Sequence, residues 1–272
     1  MEQARPIGVF DSGLGGLTVA RAVRAALPAE HLVYLGDTAR VPYGTRSAHT
    51  VIRYARSCAA HLQRRGAKLL VVACNTVSAV ALDMLRVELD IPVLGVIQPG
   101  ARAGVEATRS QRLGVIATRG TVASGAYVRA TAALDPRVEV FAREAPLFVP
   151  LAEEGWVEGP VPEAVARRYL APFAQEGVDA LVLGCTHYPL LRPVIEAVSA
   201  ELLGPGTRVV DGAEATAAAL AALLEDRAMG VEGSERGGME LLVTDLPDRF
   251  GEVASRFLGE DVSGLEVEQV DL

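Results

Sequence analysis

The sequence predicts an α/β fold: two similar domains with mostly parallel sheets, related by a pseudo-twofold axis. Three observations predict it. Apolar runs of strand length recur along the chain, each closed by turn residues and followed by a helical pattern. Such alternation marks a parallel sheet whose faces are covered by helices. Two of the runs return later in the same order. Leu113-Gly-Val-Ile-Ala-Thr118 resembles Ile7-Gly-Val-Phe-Asp-Ser12 at an offset of 106, and Leu181-Val-Leu-Gly-Cys-Thr-His187 resembles Val71-Val-Ala-Cys-Asn-Thr76 with the cysteines offset by 111. Two similar offsets in the same order point to an internal duplication. Finally, half of the 272 residues are hydrophobic but only 5% are aromatic, so the core is built mainly from Ala, Val and Leu. The length suits one large or two smaller domains.

The elements follow in order. Ile7–Phe10 runs into Asp11-Ser-Gly-Leu-Gly-Gly16, and 17–27 then reads as a helix. His31–Leu35 leads to Gly36-Asp-Thr38, and a helical stretch covers 49–64. Leu69–Ala73 ends at Cys74-Asn-Thr76, and Pro92–Ile97 ends at Gln98-Pro-Gly100. The second unit carries the two repeated runs. Arg208-Val-Val-Asp-Gly212 is a further strand end, followed by an Ala-rich helix over 214–225 and a glycine-containing loop over 229–238. Met239–Thr244 is a strand candidate, and Phe250, Val253, Ala254, Phe257 and Leu258 have helical spacing. This tail is too short for a third domain and is expected to pack back onto the first unit. The expected domains are therefore 1–97 with 208–272, and 98–207.

Charge and cysteine usage narrow the function. A net charge of -8 argues against a nucleic-acid partner with a broad footprint. The longest stretch free of charged residues, Leu69–Leu82, is too short to span a bilayer and contains Asn75, so no membrane association is expected. Because Met1 to Pro6 lead straight into the apolar run Ile7–Phe10, no signal peptide is expected. Three cysteines, Cys58, Cys74 and Cys185, at long spacings do not make a disulfide framework. A reducing, cytoplasmic setting is the expectation.

In open α/β sheets ligands bind beyond the carboxyl ends of the strands. The polar clusters all stand there: Asp11-Ser12, Asp37-Thr38, Cys74-Asn75-Thr76, Thr118 with Thr121, Cys185-Thr186-His187, and Asp211. Cys58 lies in a helical stretch and reads as a small packing residue. If the duplicated units face each other, Cys74 and Cys185 approach a shared interdomain cleft from opposite sides. Three chemistries could use them. Zinc would want further ligands, yet no C-x-x-C or H-x-x-x-H pattern is present. A Cys185–His187 nucleophile pair leaves Cys74 unexplained. Two thiols acting as base and acid on opposite faces of one carbon use both, and a helix N-terminus after each cysteine would lower its pKa.

The only lysine, Lys68, precedes its strand while Cys74 follows it. Extended chain places them roughly 20 Å apart, so a pyridoxal Schiff base in the cleft is nearly excluded. The glycine-rich segment 11–16 lacks both the G-x-G-x-x-G spacing and a P-loop Gly-Lys-Thr/Ser. It reads instead as a tight turn offering backbone N–H groups to a carboxylate.

Four linked motifs then carry a resemblance. Phe10-Asp-Ser-Gly-Leu-Gly-Gly16-Leu-Thr-Val, Gly36-Asp-Thr-Ala-Arg-Val-Pro-Tyr-Gly44, Ala73-Cys-Asn-Thr76 and Leu183-Gly-Cys-Thr-His-Tyr-Pro189 resemble the glutamate racemases of the cofactor-independent aspartate/glutamate racemase superfamily. The likeness runs from about Ile7 to Leu258. It implies interconversion of L- and D-glutamate for peptidoglycan, by two thiols, with no metal and no cofactor, in a homodimer. By matching position it implies Cys74 and Cys185 as the proton-transfer pair, serving the D- and L-enantiomer respectively. It places Asp11, Ser12, Tyr43, Gly44, Asn75, Thr76, Thr118, Thr121, Thr186 and His187 on the substrate. Glu154 fits the acidic residue that assists His187, with Glu153 adjacent to it. Where the family often has Cys-Pro, this chain has Ala145-Pro146, a change outside the catalytic pair. An aspartate racemase is the nearest alternative, and a non-catalytic binding module on the same fold is the alternative from another class.

Overall fold

The computed structural model describes residues 3–231, 233, 235–245, 250–262 and 264–272. The chain divides into two compact units, 1–96 with 213–272 and 97–212.

Among the described residues the first unit holds six strands: β1 (Ile7–Asp11), β2 (Leu32–Gly36), β3 (Leu69–Val72), β4 (Val93–Gly95), β9 (Met239–Val243) and β10 (Val267–Gln269). They form one sheet in the order β10-β9-β2-β1-β3-β4, and every pairing is parallel. The second unit holds β5 (Arg112–Ala117), β6 (Glu139–Glu144), β7 (Ala180–Gly184) and β8 (Arg208–Asp211), also all parallel, in the order β6-β5-β7-β8. The local order β2-β1-β3-β4 in the first unit is repeated as β6-β5-β7-β8 in the second. Topology thus repeats what the two sequence offsets suggest.

The central strands are short apolar runs because both faces are covered. Every residue of β1, β3 and β7 is buried, the pattern of a sheet sandwiched between helices. The helix Ala48–Arg64 buries Val51, Ala55, Cys58, Ala59 and Leu62, an apolar stripe of helical spacing. It packs on Phe10, Leu35, Leu70 and Val72 in one core cluster. Ser47 caps this helix by accepting from the Thr50 N–H at 3.4 Å.

Two features differ from the sequence reading. Residues 208–211 belong to the second unit, not the first: β8 pairs with β7 from Ala180↔Arg208 to Leu183↔Asp211, and the chain returns to the first unit only after Gly212. A strand end followed by a helix looks the same whichever sheet receives it, so the sequence marks the strand but not its partner. The other end of the unit starts at Ile97, which opens the helix Ile97–Ala107. Within the loop expected over 229–238, residues 232 and 234 lie outside the described residues.

Lys68 begins β3 at its amino end. Its side chain is fully buried against Glu30, with Nζ at 2.7 Å from Oε2. Nζ also donates to the carbonyls of Gln3 at 2.7 Å and Met229 at 2.8 Å. The sole lysine is thus a structural staple at the end of the sheet opposite the polar clusters. No helix among the described residues is long and apolar enough to cross a membrane.

Candidate active site

Strand register decides which polar residues meet. In the first unit Phe10 lies opposite Val72 and Asp11 opposite Gly36. The next residues of all three strands therefore emerge together at the carboxyl edge. The Ala73 N–H donates to the Phe10 carbonyl at 2.9 Å and the Asp37 N–H to the Asp11 carbonyl at 3.1 Å. Asp11, Ser12, Asp37, Tyr43, Gly44, Cys74, Asn75 and Thr76 form this edge. In the second unit Ala117 lies opposite Gly184, and Leu183 opposite Asp211. That alignment collects Thr118, Thr121, Cys185, Thr186, His187 and Asp211.

Cys74 is 6% exposed. It stands at the N-cap of the helix Asn75–Val80, and its thiol donates to Ser12 Oγ at 3.6 Å. Asn75 and Thr76 are buried in the first turn of that helix, where backbone N–H groups lack helical partners. Asp11 shapes the preceding turn: its Oδ2 accepts from the Gly16 N–H at 2.9 Å and the Gly13 N–H at 3.3 Å. A Cβ on Gly16 would fall 2.5 Å from Asp11 Cβ, so only glycine lets the turn close over the carboxylate. Tyr34, buried on β2, donates from its hydroxyl to the Gly13 carbonyl at 2.8 Å and supports the turn from below. These are bonds within the turn: the helix that follows, Leu17–Ala26, has Gly16 at its N-cap and no side-chain cap bond.

Tyr43 is buried, and its hydroxyl donates to Asp37 Oδ2. Its ring lies 5.4 Å from that of Tyr54. The side chain is therefore committed to the protein interior, and what this turn offers to solvent is the backbone around Gly44. Asp37 itself is fully buried among Arg40, Tyr43 and Thr244. It acts as a structural hub, which sequence position alone leaves undecided.

In the second unit Cys185 is 7% exposed, and its sulfur is 3.8 Å from His187 Nδ1. Thr186 Oγ1 lies 3.3 Å from the same nitrogen. On the other side of the ring, His187 Nε2 is 3.0 Å from Glu153 Oε1. The carboxylate on the imidazole is Glu153, one position before the Glu154 singled out by resemblance. Both lie in the helix Phe148–Glu154, and side chains of successive helical residues point about 100° apart. Adjacency in sequence thus cannot choose between them. Burial disfavours charge on His187, but the hydrogen bonds to Cys185 and Glu153 outweigh it and push the pKa up to about 10. The ring is protonated at neutral pH and places positive charge beside the Cys185 sulfur. His187 makes no side-chain cap bond to the turn it precedes, so a capping role is not what holds it.

The segment after Cys185 differs from the helix start read from sequence. A 3-10 turn, Tyr188–Leu191, intervenes before the helix Arg192–Leu202. Thr118 Oγ1 and Thr121 Oγ1 are 3.1 Å apart. Gly184 keeps the site tight: a Cβ there would sit 2.9 Å from the Ile116 carbonyl and 3.1 Å from the Tyr127 ring. Tyr127, a buried neighbour, is not marked in the sequence because its helix, Ala126–Leu134, reads simply as packing. Burial pushes the thiol of Cys58 up, away from the reactive range. Among the described residues no group of three His, Cys, Asp or Glu side chains is placed to hold a metal ion.

Comparison with known proteins gives the arrangement its family. The Asp/Glu/Hydantoin racemase family matches residues 15–220. A glutamate racemase from Geobacter metallireducens is 51% identical over 98% of this chain and 97% of its own length. The solved glutamate racemase from Francisella tularensis, in complex with D-glutamate, has a TM-score of 0.90 at 36% identity, covering 99% of this chain and 98% of that one. That from Thermus thermophilus, in complex with beta-chloro-D-alanine, has a TM-score of 0.87 at 45% identity, covering 100% and 99%. The chain belongs to the Asp/Glu/Hydantoin racemase family and, within it, to the glutamate racemases.

Proposed function

We propose that the chain interconverts L- and D-glutamate by two-thiol acid–base chemistry and thereby supplies D-glutamate for peptidoglycan. The observation that carries this reading is the pair of nearly buried thiols at equivalent strand ends, Cys74 after β3 and Cys185 after β7. Each has a polar partner, Ser12 Oγ for one and His187 for the other. The bound D-glutamate of the Francisella relative supports the substrate.

In the L-to-D direction the Cys185 thiolate takes the α-proton, and the Cys74 thiol gives its proton to the opposite face. The products are D-glutamate, a Cys185 thiol and a Cys74 thiolate. The D-to-L direction runs the same transfers backwards. A single base would return the proton to the face it came from, so two are needed, and both must reach one α-carbon. The α-proton is very weakly acidic, so a water-poor site and fixed dipoles must stabilise the developing carbanion. Protonated His187 puts a positive charge 3.8 Å from the sulfur that takes the proton.

No Lys or Arg stands among the matched positions. The substrate carboxylates fall to backbone N–H groups and to Ser12, Asn75, Thr76, Thr118, Thr121 and Thr186. Asp11, part of the turn beside Cys74, serves the substrate ammonium or orients the thiol. Lys68, tied to Glu30 and two carbonyls, supports a reaction without a Schiff base. We place the enzyme in the cytoplasm, as a homodimer, with no metal or cofactor.

The test is optical. Circular dichroism should follow loss of L-glutamate signal, with L-aspartate unchanged, and product formed in D2O should carry deuterium at the α-carbon. Cys74→Ser and Cys185→Ser should each abolish turnover while keeping the native fold, and a chelator should have no effect. No optical change with L-glutamate would sink the substrate. Full activity in either serine variant would sink the two-thiol mechanism.

A further inference from the structure

The Asp37 carboxylate beneath the Tyr43–Gly44 turn is held from a distant part of the chain. Thr244 directly follows β9, and its Oγ1 donates to Asp37 Oδ1 at 2.9 Å. Thr244 Oγ1 also accepts from the Ala39 N–H at 2.9 Å. Thr244 is further fixed by its own N–H, which donates to the Gly36 carbonyl at 3.2 Å. Next to it Thr38 Oγ1 donates to the Asp245 carbonyl at 2.5 Å and accepts from the Asp245 N–H at 2.8 Å. Arg40 Nε also donates to Oδ1 at 2.8 Å and lies 2.6 Å from Oδ2, the oxygen to which Tyr43 donates. The Arg40 guanidinium also lies 4.4 Å over the Tyr54 ring. The Asp37 N–H bonds the Asp11 carbonyl, so one residue touches two segments of the candidate site.

These contacts exceed what is needed to attach a tail strand, because β9 already pairs with β2 along five residues. They converge on the 38–46 loop, which carries the substrate-facing turn. We propose that Thr244 is a positioning residue that, through Asp37 and Ala39, sets the Tyr43–Gly44 turn for the substrate. The proposal rests on the glutamate reading of that turn. Thr244 touches no reacting atom. Its hydroxyl both donates and accepts, so an isosteric apolar side chain breaks two bonds at once without changing volume.

The test compares Thr244→Val with Thr244→Ser in the full chain. Thr244→Val should raise KM for L-glutamate about five- to tenfold, the scale of one or two lost hydrogen bonds, with kcat close to wild type. Hydrogen exchange in a peptide covering 38–46 should rise several-fold, while peptides of β1 and β3 stay protected. Thr244→Ser should restore both readouts. Unchanged exchange in 38–46 would overturn the clamp. Raised exchange with unchanged KM would show a fastening without influence on substrate, and would overturn the positioning role. If the wild-type chain turns over no glutamate, the substrate reading fails separately, and the exchange arm still decides whether Thr244 holds the loop.

Discussion

Replacing Glu153 with Gln keeps a hydrogen-bond acceptor near His187 but removes the negative charge. The folded protein holds His187 at about 10 against an ordinary 6.5, a preference for the imidazolium worth about 5 kcal/mol. Cys185 and Glu153 share it. The Glu153 side chain is 49% exposed, so solvent screens its part and the scale of an exposed pair applies, about 1 kcal/mol. Glu153→Gln should therefore lower the His187 pKa by about one pH unit. The chain has only four histidines, so NMR titration of labelled imidazoles resolves the ring directly. Stability gives the second readout. Because the folded-state pKa is raised, the interaction stabilises the fold fully below about pH 6.5. That contribution is lost as pH rises through about 10. Urea unfolding should thus show Glu153→Gln destabilised by about 1 kcal/mol at pH 7 and indistinguishable from wild type on the alkaline side of the His187 pKa. An unmoved His187 titration, or a larger movement in Glu154→Gln than in Glu153→Gln, would refute the assignment.

Other predictions follow from packing. Lys68→Met strands the Glu30 carboxylate in the interior and should cost about 3–5 kcal/mol in urea unfolding. The double variant Lys68→Met/Glu30→Leu should recover most of it, and kcat per folded molecule should not change in either. Cys58→Ala leaves a small void in the core, costs about 1 kcal/mol and should leave kcat intact. A large loss of kcat there would mean that a third thiol takes part. Gly16→Ala drives a Cβ into Asp11 and should cost about 1–3 kcal/mol with a marked fall in kcat/KM. Wild-type kinetics in that variant would show that the turn does not matter to the site.

The central strands are legible in the sequence because burial on both faces forces uninterrupted apolar runs, as in Leu69–Val72 and Ala180–Gly184. Two of the four edge strands, β6 and β10, are not. In β6 the sequence Glu-Val-Phe-Ala-Arg-Glu puts charge at both ends and only partly buries its middle. β10 has three residues and little burial. Neither leaves an apolar signal. The site is legible where chemistry and strand ends coincide, as at Cys74 and Cys185. It fades where the partner is remote or a helical angle decides. Nothing local links Thr244 to Asp37 across 207 positions, and only the helix phase separates Glu153 from Glu154.

The order in which the chain visits its two units also bears on its synthesis. The second unit is continuous, but the first opens with β1 to β4 and closes with β9 and β10. On the ribosome β2 therefore presents an unpaired edge from the time it emerges until β9 is made. At ordinary elongation rates of about 5–20 residues per second, that interval is about 10–40 s. An exposed parallel edge is a template for pairing with other chains. A nascent chain stalled before Met239 carries both thiols yet lacks the strand that closes its sheet and the hydroxyl that fastens the Tyr43–Gly44 turn. Completion of the site is thus deferred to the last part of translation.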